Sequence, residues 1–196
     1  MKNILRIILN LVVCILGLTQ CHAQQILPLN TSTFNIPAGT YFKDLNNEFG
    51  YYLGSWKGNY QDKIITLSIV KVNNKPFEMW DRSYYHDQII VRYEIKNING
   101  NILQSTLNSS FNEENDVHLL IESSGTEANG NVLKLLFAGG NCSVGIGEII
   151  LKKINNTQFY WNYYPGTTTR NDITCPPNLH YNIYLPETEN LIFTKQ

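Results

Sequence analysis

The sequence predicts an all-β protein: an antiparallel up-and-down β-barrel of about 8–10 short strands, with a two-sheet β-sandwich as the alternative. Three observations support this prediction. Apolar and polar residues alternate with period two in many short runs. Tyrosine (12) and phenylalanine (8) are abundant, which favours strands over helices. One polar face per strand is typical of an antiparallel sheet, and so many strands must close or stack to hide their edges.

The length and composition of the chain indicate one domain that can bury a hydrophobic core. The chain has 196 residues, of which 43% are hydrophobic and 16% charged. The formal net charge is −1 and lysine and arginine do not cluster, so the sequence gives no reason to expect a nucleic-acid partner.

The first residues are expected to be a signal peptide, residues 1–23. Lys2 and Arg6 precede an apolar run at 7–18, and Cys21-His22-Ala23 resembles a cleavage site. The run is too short to span a membrane, so no transmembrane segment is expected in the mature chain. We therefore expect an exported bacterial protein, secreted or periplasmic, with a single β-barrel domain over residues 54–196.

Cys21 supports a competing interpretation. A cysteine directly after an apolar run can be acylated in a bacterial lipoprotein, which would anchor the protein to the outer membrane. Gln20 fits that motif poorly, because a small residue is usual there. Cleavage after Ala23 is the favoured alternative.

Residues 24–53 are expected to form an extended lead-in and a short helical turn. Pro28 and Pro37 break any regular pattern in the lead-in. The helical turn, at residues 43–52, would be capped by Asp44 or Asn46.

The first strands of the domain begin at Gly54. A turn at Gln61-Asp62 connects a strand at 54–60 to a second strand that ends at 72, and residues 73–87 are expected to be a loop. The strand at 89–96 has an apolar face of Ile89, Val91, Tyr93 and Ile95. Asn99-Gly100 favours a tight hairpin.

Further strands are expected where alternation resumes, with a long loop at 165–178. Their predicted positions are 102–107, 117–122, 133–137, 146–154, 159–163, 181–185 and 191–195.

Two of the four cysteines remain after signal cleavage. Cys142 and Cys175 lack the spacing of a metal or redox pair, so we expect a structural disulfide in an oxidising compartment. The chain-entropy model assigns such a bridge ~3.5–4 kcal/mol of stability.

No motif carries catalysis, a metal or a cofactor. His86, His118 and His180 are scattered, and neither HExxH nor GxSxG occurs. The acidic pair Glu113-Glu114 is expected to be solvated. We expect no cofactor and lean against an enzyme, although an unrecognised hydrolase is a third, weaker hypothesis.

The aromatic residues are the strongest candidates for ligand or partner contact. They are Trp80, Tyr84 and Tyr85 in the predicted loop, and Trp161 and Tyr163 on an inward strand face. They could fill the core, or they could form the mouth of a ligand cavity. Large inward residues such as Phe137 and Phe159 favour a filled or narrow interior.

Gly54-Ser55-Trp56 resembles the motif that opens the first strand in the lipocalin/calycin superfamily. The resemblance implies that Trp56 closes one end of a barrel and that a basic residue of the last strand packs on it. Lys195 is the matching residue, and the contact would be worth ~0.5–2 kcal/mol. The chain departs from lipocalins because no helix follows the last strand.

Residues 28–195 also resemble an uncharacterised family of exported bacterial proteins. The shared features include Pro28-Leu29-Asn30, Gly54-Ser55-Trp56-Lys57, Asn141-Cys142 and Cys175-Pro176. We expect an exported, non-catalytic, lipocalin-like binding protein for a small apolar or aromatic molecule. The alternative is a surface interaction or inhibitor module that acts on a protein partner through residues 73–87 and 165–180.

Overall fold

The computed structural model describes residues 23–79, 81–111, 118–169, 172–173 and 175–196. The expected signal peptide lies almost wholly outside these residues and remains a prediction. Trp80 and the pair Glu113-Glu114 also lie outside them.

Eleven strands and one short 3-10 turn, Asn141–Ser143, make up the regular structure of the described residues. The strands are β1 Ile26–Pro28, β2 Tyr41–Lys43, β3 Gly54–Tyr60, β4 Lys63–Met79, β5 Arg82–Asn97, β6 Ile102–Ser105, β7 Ile121–Glu127, β8 Val132–Phe137, β9 Gly147–Asn155, β10 Gln158–Pro165 and β11 Leu191–Lys195.

Eight of these strands close into an antiparallel barrel. Their order is β3-β4-β5-β7-β8-β9-β10-β11, and β11 pairs with β3 through Lys195 and Trp56. The pairing of β5 with β7 closes the ring, although it includes only Ile90 with Glu122 and Val91 with Ile121. The predicted barrel is therefore confirmed, and the alternative of two separate stacked sheets is wrong because the strands form one closed sheet.

The two ends of the barrel differ in what covers them. We call the end that holds Trp56, Gln158 and Lys195 the tryptophan end, because β3 and β10 begin there and β11 ends there. The opposite end carries the Cys142–Cys175 bridge, and we call it the disulfide end. The turns at 61–62 and 98–101 lie at the disulfide end, and the turns at 128–131 and 156–157 lie at the tryptophan end.

A hairpin extends beyond the tryptophan end, where a loop at 73–87 was predicted. Strands β4 and β5 continue to Met79 and Arg82 after a register shift between Val72 and Lys75. The loop prediction is wrong because Asn73-Asn74-Lys75-Pro76 has no apolar alternation, so the strand character comes from tertiary packing. Strand β2 pairs in parallel with the extension, and β1 pairs in parallel with β2.

The period-two patterns correctly predict the inward faces. All four side chains of the predicted inward face on β5 are fully buried: Ile89, Val91, Tyr93 and Ile95. Residues from every barrel strand join them in one hydrophobic core. The predicted turn at Gln61-Asp62 and the 99–100 hairpin also form.

Three local predictions need correction. The strand expected at 117–122 begins only at Ile121, and it continues to Glu127 through residues that look like a loop. Residues 181–185 form no strand. Residues 44–52 make turns instead of a regular helix, although Asp44 does accept hydrogen bonds from the backbone N–H groups of Glu48 and Phe49 at 2.7 and 3.3 Å.

Candidate binding site at the disulfide end

The barrel interior is filled with large side chains. Aromatic rings stack along it: Phe159 lies 4.5 Å from Trp56 and 5.5 Å from Phe193, and Trp161 lies 5.7 Å from Phe193, between ring centroids. These four residues are fully buried. An eight-stranded barrel has room either for its own side chains or for one small ligand. The core therefore occupies the space that a central ligand would need.

Trp56 closes the tryptophan end from within. Its Nε1 donates a hydrogen bond of 2.7 Å to the Tyr52 carbonyl oxygen. Lys195 covers the same ring, with Nζ 5.2 Å from the centroid. Lys195 and the Tyr52 carbonyl therefore hold the Trp56 ring at this end of the barrel.

Four of the aromatic residues singled out from the sequence are described by the structure, and they fall into two separate groups. Tyr84 is buried on the extension hairpin, with its ring 5.8 Å from Phe42 and 5.5 Å from Phe77, and Tyr85 is half-buried beside it. Trp161 and Tyr163 belong to β10, and Tyr163 lies toward the disulfide end. The structure does not bring these two groups together. The sequence does not predict that these two groups are far apart, because their distance depends on how far the β4–β5 hairpin extends beyond the barrel.

The described part of the segment from 166 to 190 folds across the disulfide end and is anchored on β10. Trp161 Nε1 donates to the Pro186 carbonyl at 3.0 Å, and the Tyr163 backbone N–H donates to the Thr188 carbonyl at 3.1 Å. Leu185 from this segment is 4% exposed and joins the core. The segment therefore seals the end of the barrel and positions the residues that surround it.

The predicted disulfide between Cys142 and Cys175 is present, with 6.0 Å between the Cα atoms. Two hydrogen bonds support the bridge. Asn141 Nδ2 donates to the His180 carbonyl at 2.7 Å, and the Tyr181 hydroxyl donates to the Pro176 carbonyl at 2.7 Å. The bridge thus connects the 166–190 segment to the turn between β8 and β9.

A cleft of about 780 Å³ lies between this segment and the barrel rim. Four tyrosines line it: Tyr60, Tyr163, Tyr181 and Tyr184. We call it the tyrosine cleft. Lys63 and Glu187 supply charged groups at its wall. It combines aromatic rings, which can pack on a ligand, with polar groups, which can orient one.

The tyrosines of the cleft are held in place by backbone contacts. The Tyr163 hydroxyl donates to the Gly145 carbonyl, and the Tyr60 hydroxyl lies 3.5 Å from the Glu187 carbonyl. Burial raises the pKa of Tyr163, so its phenol stays protonated. The Tyr184 ring stacks on His180 at 5.9 Å. Because these rings are already held in place, they lose little additional conformational entropy when a ligand binds.

Sequence reasoning identified only Tyr163 among the four cleft tyrosines. Tyr60 was assigned to a strand face, and Tyr181 and Tyr184 to a strand that does not form. The tyrosines that flank the Cys175-Pro176-Pro177 loop are the sequence feature that could have predicted this cleft, because loops at the end of a barrel commonly carry binding residues.

A buried charged network lies at the other end. Lys71 Nζ contacts Asp44 Oδ2 at 3.2 Å and Asp87 Oδ2 at 3.0 Å, and Asp87 also accepts a hydrogen bond from the Tyr41 hydroxyl. Burial, with the Asp87 contact, raises the pKa of Tyr41 to about 12. Both carboxylates are satisfied by donors, so the network is structural and offers no free catalytic base.

Among the residues that the structure describes, no group of three or more histidine, cysteine or acidic side chains is arranged to hold a metal ion. No helix in the described part of the chain is long and apolar enough to cross a membrane.

The model of a family of unknown function (DUF6705) matches residues 1–196, which confirms the resemblance to an uncharacterised family. No curated protein matches. No solved structure matches.

Proposed function

We propose that this protein is an exported, non-catalytic binding protein. The chain belongs to the DUF6705 family of unknown function. Its ligand is a small aromatic molecule that binds in the tyrosine cleft. The observation that carries this proposal is the contrast between the two candidate spaces: the barrel interior is filled, whereas the cleft at its end is open.

The chemistry of the cleft favours an aromatic ligand. The rings of Tyr60, Tyr181 and Tyr184 are half-buried, so each keeps surface available for contact. Aromatic pairs contribute about 0.5–1.5 kcal/mol beyond the area that they bury. Gln61 and Asn182 beside these rings can hydrogen-bond a polar substituent of the ligand.

Export is supported by the disulfide and by the N-terminal pattern. Disulfides persist in oxidising compartments, and the Cys142–Cys175 bridge is a structural one. Residues 1–23 have the composition of a signal peptide, with a lipid anchor at Cys21 as the alternative. The intact mass of the exported protein distinguishes cleavage after Ala23 from acylation of Cys21.

Ligand-observed NMR with phenol and indole as probes tests the binding proposal. We expect saturable transfer of magnetisation to the probes, and at least about tenfold weaker binding by Tyr184→Ala, which corresponds to ~1.4 kcal/mol. Tyr160→Ala is the matched control, because Tyr160 lies on the outer face of β10 and does not line the cleft. The proposal fails if neither probe binds, or if both variants weaken binding equally.

A second candidate is binding of a protein partner through the same segment. Ile173 favours it, because this apolar side chain is 94% exposed on the disulfide-tethered segment. Cross-linking to envelope proteins should then decrease in Ile173→Ser and stay unchanged in Ile154→Ser, an exposed isoleucine of β9. Equal cross-linking by both variants would reject this candidate.

A further inference from the structure

A separate pocket opens at the tryptophan end, where β5 and β7 diverge. Their ladder ends at Ile90 and Glu122, and the next contact is made by a side chain: the Ile89 backbone N–H donates to Ser123 Oγ at 2.9 Å. A bulge in β7 between Ser123 and Gly125 turns the strand away. The gap leaves a pocket of about 380 Å³.

The lead-in forms one wall of this pocket. The Asn30 side chain donates to Thr126 Oγ1 at 2.7 Å and accepts from the Thr126 backbone N–H at 3.2 Å. Glu48 accepts hydrogen bonds from both side chains. Asn30 therefore replaces the missing strand partner of β7 and holds the pocket open.

The surface of the pocket combines an apolar floor with hydroxyl and imidazole groups. Phe49 and Leu29 provide the apolar part, and Ser124 and His86 are among its polar groups. Among the described residues, no hydrogen bond joins the His86 ring to another side chain or to the backbone. Burial, with the nearby Lys75 ammonium, lowers the pKa of His86 below 6.5. The neutral ring offers one donor and one acceptor.

The charges around the pocket disfavour an anion. Lys75 is paired with Glu122 at 3.1 Å, and Lys134 is paired with Glu127. Among the described residues that line the pocket, Asp87 and Glu127 are carboxylates and Lys134 is a lysine. A negatively charged ligand would therefore meet two carboxylates and one cation that is already paired.

We propose that this pocket is a second binding site, for a neutral polyhydroxylated molecule such as a monosaccharide. Hydroxyl groups both donate and accept hydrogen bonds, as do Ser124 and the His86 ring that face them. The C–H face of a sugar ring matches the partly exposed apolar side chain of Leu29. This site lies at the opposite end from the tyrosine cleft and does not depend on the proposed function there.

Two-dimensional ¹H–¹⁵N NMR tests this site, with glucose, galactose, myo-inositol and glycerol as probes. We expect saturable shifts of Asn30, His86 and Ser123–Thr126 amide signals with at least one sugar or cyclitol. Inorganic phosphate should leave these signals unchanged. Ser124→Leu, which fills the pocket from an exposed strand position, should weaken the binding at least about tenfold.

The matched control is Ser55→Leu, since Ser55 is an exposed serine of β3 outside the pocket. Equal urea midpoints for both variants and the parent chain would show that the fold is unchanged. The site is rejected if no probe gives saturable shifts, if phosphate shifts the same signals, if the shifts map to the tyrosine cleft, or if both variants weaken binding equally.

Discussion

Lys195 and Trp56 are paired across the seam between the last and the first strands of the barrel. The Lys195 ammonium lies 5.2 Å from the centroid of the Trp56 ring, and it donates to the Tyr51 carbonyl at 3.1 Å. One side chain thus joins β11, β3 and the turn that precedes β3. The contact links positions that are far apart in the chain at the point where the barrel closes.

Replacing Lys195 with methionine should lower the free energy of unfolding by about 0.5–2 kcal/mol, since methionine keeps the apolar stem and loses the cation over the ring. Urea denaturation measures this loss. Lys57→Met is the control, because Lys57 is exposed on the outer face of β3, and it should change stability by less than about 0.5 kcal/mol. Equal losses in the two variants would contradict the role of the Lys195–Trp56 contact.

Gly58 allows the packing of the core against β3 to be tested. A Cβ atom at this position would lie 2.9 Å from Cζ of Phe193, whose ring is fully buried. Gly58→Ala should therefore destabilise the protein by about 1–3 kcal/mol through overpacking. Combining it with Phe193→Leu should recover at least about 0.5 kcal/mol of coupling in a double-mutant cycle. Strict additivity would mean that the two side chains do not compete for the same space.

The barrel strands were predictable because one face of each is buried and the other is solvated. Residues 89–96 illustrate this: the alternation alone correctly placed Ile89, Val91 and Tyr93 inward. The extension at 73–87 was not predictable, since its strands are stabilised by contacts among Phe42, Phe77 and Tyr84 from distant parts of the sequence. Likewise, β7 continues to Glu127 because its residues pair with β8 and because Asn30, distant in the sequence, hydrogen-bonds Thr126.

Asp87 should make a large contribution to stability, because its side chain is fully buried against Lys71. Asp87→Asn leaves the lysine without one of its two carboxylates, and we expect a loss of about 3–5 kcal/mol. Glu94→Gln is the control: its pair with Lys96 is partly exposed and should be worth about 0–1 kcal/mol. Chemical denaturation at neutral pH compares them, and equal losses would contradict a special role for the buried pair.

The same carboxylate predicts how stability depends on pH. Burial opposes ionisation of Asp87, but hydrogen bonds from Tyr41, Lys71 and two backbone N–H groups outweigh it and lower its pKa below 3.8. A depressed folded-state pKa stabilises the protein above the unfolded-state value, and this stabilisation is lost as the pH falls toward the folded-state pKa. Unfolding free energies from pH 6 to 3 should therefore fall less steeply for Asp87→Asn than for the parent chain. Parallel curves would refute this assignment.

Reduction of the Cys142–Cys175 bridge should lower the melting temperature by several degrees. The chain-entropy model gives ~3.5–4 kcal/mol for a loop of this length, and about 1 kcal/mol corresponds to ~2–4 °C at this size. The double variant Cys142→Ala/Cys175→Ala should melt at the temperature of the reduced protein and should not respond to reductant. An unchanged melt on reduction of the parent chain would mean that the bridge adds no stability.

The tyrosine cleft was largely beyond sequence reasoning. Tyr60 and Tyr184 meet there only because the barrel closes and the 166–190 segment returns across its end. Trp161 was correctly placed inward, but its burial among other aromatic rings removes it from any surface that a ligand could contact. The polar pocket at the other end depends in the same way on the divergence of β5 from β7.

Chemical-shift mapping of the aromatic side chains with a bound probe, phenol or indole, tests where an aromatic ligand binds. We predict that the largest saturable shifts fall on Tyr60, Tyr181 and Tyr184, with the signals of Trp56 and Phe159 unchanged. Shifts centred on the buried rings of the barrel would place the ligand inside it. That result, or the absence of saturable shifts, would contradict the account.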